Sequence, residues 1–192
     1  YNSTYVCLRL PRMEKKQTTK RTTIIFNEKD RQYLEQLIKE GKEPGIKPLI
    51  SKMFDVYRSM AIYDWKFPGE YYCGVSRIAF FSQENLNTLV DLLPKDKLRE
   101  TGRKVGDAMK LSIQASFNID PAKRENWPEV LKRLRVFGYG DLIYRDKFII
   151  AKNPFIGNLQ MLLGFLEGML GCSLEPRITT SPMVLEVTER TR

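Results

Sequence analysis

No histidine occurs among the 192 residues of the chain. That absence removes the commonest general base, the commonest metal ligand and the proximal haem ligand together. Ser–His and Cys–His nucleophile systems are excluded outright. Cysteine is scarce as well: Cys7, Cys73 and Cys172 lie far apart with no CxxC spacing, so neither a zinc site nor a disulfide framework is expected, and no metal or cofactor is assigned. An odd cysteine count in a basic chain fits a reducing cytoplasm. No uninterrupted apolar run reaches the ~18 residues that suggest a membrane span. The nearest candidate, residues 155–171, is broken by Asn158, Gln160 and Glu167. A soluble, cytoplasmic protein without membrane contact is therefore expected. No pair of carboxylates stands out from a scattered surface set, so the chain is expected not to be an enzyme. The opening YNSTYVCLRLPR resembles no complete secretory signal and reads either as an extra strand or as an appended stretch with Met13 as the natural start.

Positive charge is what the chain has in excess. Lys and Arg number 32 against 23 Asp and Glu, a net +9, and residues 1–60 hold 13 of the bases against 7 of the acids, so most of the excess lies in the first third. A field of that sign is the electrostatic footprint of a phosphate binder. Hydrophobic residues at 42% and aromatics at 11% are ample for a core, and the length suits one large domain or a small module joined to a medium one.

Residues 20–27, KRTTIIFN, alternate as a strand does. One face carries Thr22, Ile24 and Phe26, and the other Arg21, Thr23 and Ile25. A lone strand leaves its backbone donors and acceptors unpaired, and with no second strand nearby in sequence the expected partner is the same strand of another subunit. The segment thus predicts a homodimer. Asn27 suits the N-cap of a following helix with Leu34, Leu37 and Ile38 as its apolar stripe. GKEPG at 41–45 breaks that helix, and Pro48 suits the first position of a second helix carrying Leu49, Ile50, Met53, Phe54, Tyr57 and Met60 at spacings of three and four.

Strand, helix and helix within about forty residues, led by basic residues, resemble the ribbon-helix-helix family of DNA-binding proteins over residues 20–61. The resemblance implies that two chains pair their strands into an antiparallel ribbon that enters the major groove of double-stranded DNA. The base readers would then be Arg21, Thr23 and Ile25, with Ile25 offering apolar contact only, and Lys20 would accompany them. Backbone N–H groups at the start of the second helix, near Lys47, would meet a phosphate, although Pro48 donates none. Lys15 and Lys16 read either as an arm along the DNA backbone, together with Lys20, or as a solvated charge run. The alternating stretch, taken alone, is also ordinary α/β material.

Residues 62–74 change composition and read as a linker, so the organisation expected is residues 1–19 as an arm or extra strand, 20–61 as the DNA-binding module and 75–192 as a second domain. In that domain Ile78 to Phe81 reads as a short strand. Ser82 and Asp96 read as caps of two helices, the latter running through Leu98, Val105, Met109, Leu111 and Ile113. Residues 127–137 read as a third helix. A hairpin over residues 141–152, a helix over 156–170 ended by Gly171 and a strand over 183–189 complete an α+β class, with helices on one side of a small antiparallel sheet.

Three segments, ETGRKVGDAMK (100–110), RLRVFGYGDLIYRD (133–146) and LLGFLEGMLGCSLE (162–175), resemble the vinyl-reductase-type regulatory domain, whose fold is shared with subunits of the TRAPP vesicle-tethering complexes. The likeness spans roughly residues 75–189. It implies a sensing or dimerising module that takes small, often aromatic effectors. The cysteines that ligate a metal in some members are missing here, so none is carried over. Tyr72, Phe80, Phe81, Trp127, Phe137 and Tyr139 are the candidates for an effector pocket, with a purely core role as the plainer alternative. The glycine pairs at 102/106 and 164/168 have a reading of their own: spaced four apart on helices, they let another backbone approach closely.

The function expected from all this is a dimeric, sequence-specific transcription regulator of prokaryotic type, with a C-terminal domain that binds a small hydrophobic effector. The alternative is a non-enzymatic assembly scaffold in which the first module only dimerises. Whether dimers pair into a tetramer on tandem sites is left open.

Overall fold

Asn27 opens the first helix. Its backbone is extended at φ −69° and ψ 163°, and its side chain accepts a hydrogen bond from the Asp30 N–H at 2.8 Å. Helix α1 (Glu28–Lys39) therefore starts where the sequence supplies a cap. The computed structural model describes residues 23–67, 69–73 and 76–188. Residues 23–27 form neither helix nor ladder-paired strand within the single chain. Along α1 the half-buried positions are Leu34, Leu37 and Ile38, and none of its residues is fully buried. Helix α2 (Ile46–Ser59) begins two residues before Pro48, which sits in the first turn, where a missing N–H costs nothing.

The chain divides into two compact units, Tyr1–Ile46 and Lys47–Arg192. In the second unit, Leu49 of α2 is buried while Met53, Phe54 and Tyr57 are 60%, 57% and 44% exposed. Strands β1 (Tyr71–Cys73) and β2 (Ser76–Ile78) pair as a short antiparallel hairpin with Tyr71 opposite Ile78. This corrects the expectation of a strand over residues 78–81. The ladder stops at Ile78 because Glu70, the next residue on the partner side, bridges Lys66 instead.

Helix α3 (Gln83–Asp91) is capped by Ser82, whose hydroxyl accepts from the Asn85 N–H. Helix α4 (Leu98–Phe117) follows a tight turn over Lys95–Lys97. Asp96 was expected to cap α4, but it lies within that turn, and the cap position falls to Lys97, which makes no side-chain cap bond. Next come α5 (Trp127–Val136), the hairpin of β3 (Asp141–Arg145) and β4 (Phe148–Lys152), α6 (Leu159–Leu170), β5 (Ser173–Ile178) and β6 (Met183–Thr188). The four strands form one antiparallel sheet in the order β3-β4-β6-β5. The class is α+β, with two antiparallel sheets among the described residues. Strand β5 was not anticipated, since Pro176 and alternate polar residues mask it; the register shifts between Pro176 and Ile178, as a proline that cannot donate to the ladder requires.

Ten consecutive residues of α6, Met161 to Leu170, are buried, which marks a central helix enclosed on all sides. Its closest neighbour is α4. A β-carbon on Gly102 or Gly106 would lie 2.3 Å from the Met161 carbonyl oxygen or 2.1 Å from that of Phe165. Conversely, one on Gly164 or Gly168 would lie 2.0 Å from the Arg99 oxygen or 2.2 Å from that of Arg103. The glycine pairs therefore face each other, and the two backbones touch where side chains would separate them. Leu142, Ile149, Ala151, Leu174 and Leu185 line the sheet's buried face and join Val130, Leu131, Leu134 and the α6 side chains in one core.

Candidate effector pocket and ribbon segment

The first candidate site is the segment before α1. Ile25 is 91% exposed and Ile24 50%, whereas Phe26 is half-buried, so an apolar pair reaches solvent immediately ahead of a capped helix. Thr23 is exposed. Lys47 is exposed in the first turn of α2. Lys15, Lys16, Lys20 and Arg21 lie outside the described residues.

A second candidate lies wholly within the larger unit. A cleft of about 500 Å³ is lined by Met60, by Ile78 at the end of β2 and residues 79–81 beyond it, by Leu86 of α3, by Val105 and Met109 of α4, by residues 137–139 after α5, by Phe155 and Ile156, and by Met161 of α6. Its size is that of a small-molecule site. Among the described residues no charged side chain lines it, and three methionines supply soft, adaptable walls.

Local chain geometry places the aromatic wall. Helix α5 ends in a Schellman motif: the Tyr139 N–H donates to the Leu134 carbonyl and the Gly138 N–H to that of Arg135. Gly138 takes φ +86°, which a residue with a β-carbon resists, and the chain turns there to present Phe137 and Tyr139. The Tyr139 ring then stacks on Phe165 at 4.9 Å with 7° between planes and meets Phe155 edge-on at 6.3 Å. The GYG sequence thus serves as a helix stop.

Phe80, Phe81, Phe137 and Tyr139 meet at this cleft. Tyr72 does not line it; its hydroxyl donates to Glu70 on its own hairpin at 2.9 Å. Trp127 is 3% exposed, and its indole N–H donates to the Pro121 carbonyl at 3.1 Å, a satisfied core position. The aliphatic and thioether lining, Met60, Val105, Met109 and Met161 in particular, went unnoticed in the sequence, where each reads as ordinary helix apolar stripe.

One buried charge lies apart from the cleft. Glu167 of α6 has no exposed side-chain surface. Arg99 donates from Nε to Glu167 Oε2 at 3.0 Å, Arg103 from Nε to the same oxygen at 2.9 Å, and the Leu174 N–H to Oε1 at 2.9 Å. Burial pushes the Glu167 carboxyl up, but the Arg99 hydrogen bond, the Leu174 N–H and the arginine charges outweigh it and hold the group below the usual carboxylate range. Arg99 is raised in turn, chiefly by its hydrogen bond to Glu167. This network staples α4 to α6 and to the start of β5.

Among the described residues no group of three or more Cys, Asp and Glu side chains is placed to hold a metal ion. Nor is any helix among them long and apolar enough to cross a membrane. Compared with family models, with curated proteins and with solved structures, the chain matches none.

Proposed function

We propose that the chain is a dimeric, sequence-specific DNA-binding regulator, with a ribbon-helix-helix module at its N-terminal end and a vinyl-reductase-like unit that takes a small apolar effector. The observation that carries the reading is the segment 23–27: it pairs with no strand of its own chain among the described residues, yet exposes Ile24 and Ile25 directly ahead of the capped helix α1. A second copy of the same segment would satisfy its backbone and give a two-stranded ribbon of major-groove width. The basic excess of residues 1–60 supports phosphate contact along it. On this reading Arg21 and Thr23 contact base edges and Lys47 neighbours a phosphate. Ile25 meets a thymine methyl.

Effector control follows from linkage. A ligand in the 500 Å³ cleft alters operator affinity only if it binds the two dimer geometries unequally.

Fluorescence anisotropy of the full chain on its own upstream DNA and on a scrambled duplex, across a salt series, tests the proposal. Tighter binding upstream with a steep loss at high salt is expected. Arg21→Ala should cost about 1–3 kcal/mol and relax preference at one position. Weak, equal binding to both duplexes would remove the regulator reading. An unchanged hold on a protein partner in Arg21→Ala would then favour an assembly scaffold.

A further inference from the structure

We infer that the aromatic surface around Trp65 is a contact between two copies of this chain, seated so that the second copy closes the mouth of the apolar cleft. Trp65 packs against Tyr71 at 4.8 Å, Phe67 at 5.9 Å and Phe80 at 6.0 Å, and Tyr71 meets Phe80 at 5.3 Å. The Trp65 indole N–H is satisfied by the Tyr72 carbonyl at 2.9 Å, so the cluster is a built feature of the hairpin. Two of its rings nonetheless face solvent, Phe67 at 66% and Phe80 at 72% exposure, and Tyr63 on the turn that adjoins β1 and Phe81 next to Phe80 are 63% and 50% exposed.

Area calls for an occupant of protein size. At roughly 200 Å² per aromatic side chain these four rings offer about 500 Å², near the upper end of the largest apolar patch that monomers carry. Tyr57 lies 6.1 Å from Tyr63 and continues the patch onto the exposed α2 positions Met53 and Phe54. The whole then approaches about 800 Å², which is what one partner contributes to a standard stable interface.

The rim fits a second copy. Asp64, Lys66, Glu70 and Arg77 lie among these rings in sequence, with Lys66 3.6 Å from Glu70, so acids and bases are equal in number there. A polyanion finds no net attraction on it. A second copy of the same surface presents charges of both signs to it. Phe80 and Phe81 belong both to this surface and to the cleft wall, so a copy seated on them completes the cleft. The inference deepens the dimeric reading above by naming where the larger units meet, while resting on an observation of its own.

Photo-crosslinking tests it in the full chain, with p-benzoylphenylalanine in place of Phe67 and retention of the thermal transition as the folding control. A covalent dimer whose linkage maps to residues 57–81 of the other copy is expected. So is at least a tenfold weaker dimer, by sedimentation, for the Phe67→Glu, Phe80→Glu double variant. A monomer at 100 µM, or a crosslink that maps elsewhere and leaves the surface to a different partner, overturns the inference. The two readings fail separately. Specific DNA binding without the crosslink removes this contact and spares the regulator, whereas the crosslink without specific DNA binding does the reverse.

Discussion

A carboxylate with no exposed surface inside an apolar helix must be neutralised by whatever packs against it, and Glu167 meets two arginines and a backbone N–H. Arg99 and Arg103 keep 35% and 44% of their side chains exposed, so water takes up part of their charge once the anion is removed. Glu167→Gln should accordingly cost about 2–4 kcal/mol at pH 7, below the most severe buried-pair losses. The folded carboxyl titrates lower than the ~4.3 of an unfolded glutamate. Its contribution is thus complete above that pH and disappears as pH falls through the folded value. Urea melts of both proteins should show a gap that is flat from pH 8 to 5 and shrinks below about 4. A gap independent of pH would mean that the charge itself does nothing. Glu167 stood out in the sequence as an acid inside the apolar stretch 155–171, whereas Arg99 and Arg103, four apart on a helix, drew no notice. What the sequence withheld was their meeting, because 64 or more positions separate the arginines from their acid.

Between helices α4 and α6 the fold depends on what glycine lacks. A β-carbon at Gly164 or Gly106 meets backbone oxygen at 2.0 or 2.1 Å, and backbone cannot rotate away as a side chain can. Gly164→Ala and Gly106→Ala should each lose about 2–4 kcal/mol, since the helices must part and the core around Phe165 loosens with them. Gly157→Ala is the comparison: its added carbon meets only the Asn87 side-chain end at 3.1 Å, and a loss under about 1 kcal/mol is expected. Equal losses at all three positions in thermal melts would refute close backbone contact as the cause. The spacing of these glycines announced close packing from sequence, while their partner became apparent only in space. The β3–β4 hairpin was legible for a related reason, since alternation on both sides of Asp146 fixes its register locally. Strand β5 was not: its pairing with β6 is decided by the sheet edge it completes, and Pro176 reads locally as a strand breaker.

For the molecule as a whole, the question is what an apolar cleft of about 500 Å³ does in a chain whose excess positive charge concentrates in the first third of the sequence. Only part of this site was legible beforehand, because it is assembled from segments as distant as Met60 and Met161 whose apolar residues individually look like core. Four aromatic rings stood out by type and position; the thioether wall did not. Filling the cleft separates its role from that of the fold. Met109→Trp adds volume at the wall from a partly buried position, so stability should change by no more than about 1–3 kcal/mol. An uncharged aromatic probe such as indole, present at 100 times its dissociation constant, should stabilise the native protein by about 2.7 kcal/mol. That stabilisation should vanish in Met109→Trp. If the cleft governs the dimer, indole should also shift operator affinity in the native chain, and the filled variant should bind operator at one fixed affinity whether indole is present or not. Stabilisation of the native chain by indole with no change in operator binding would leave the cleft a ligand site uncoupled from DNA.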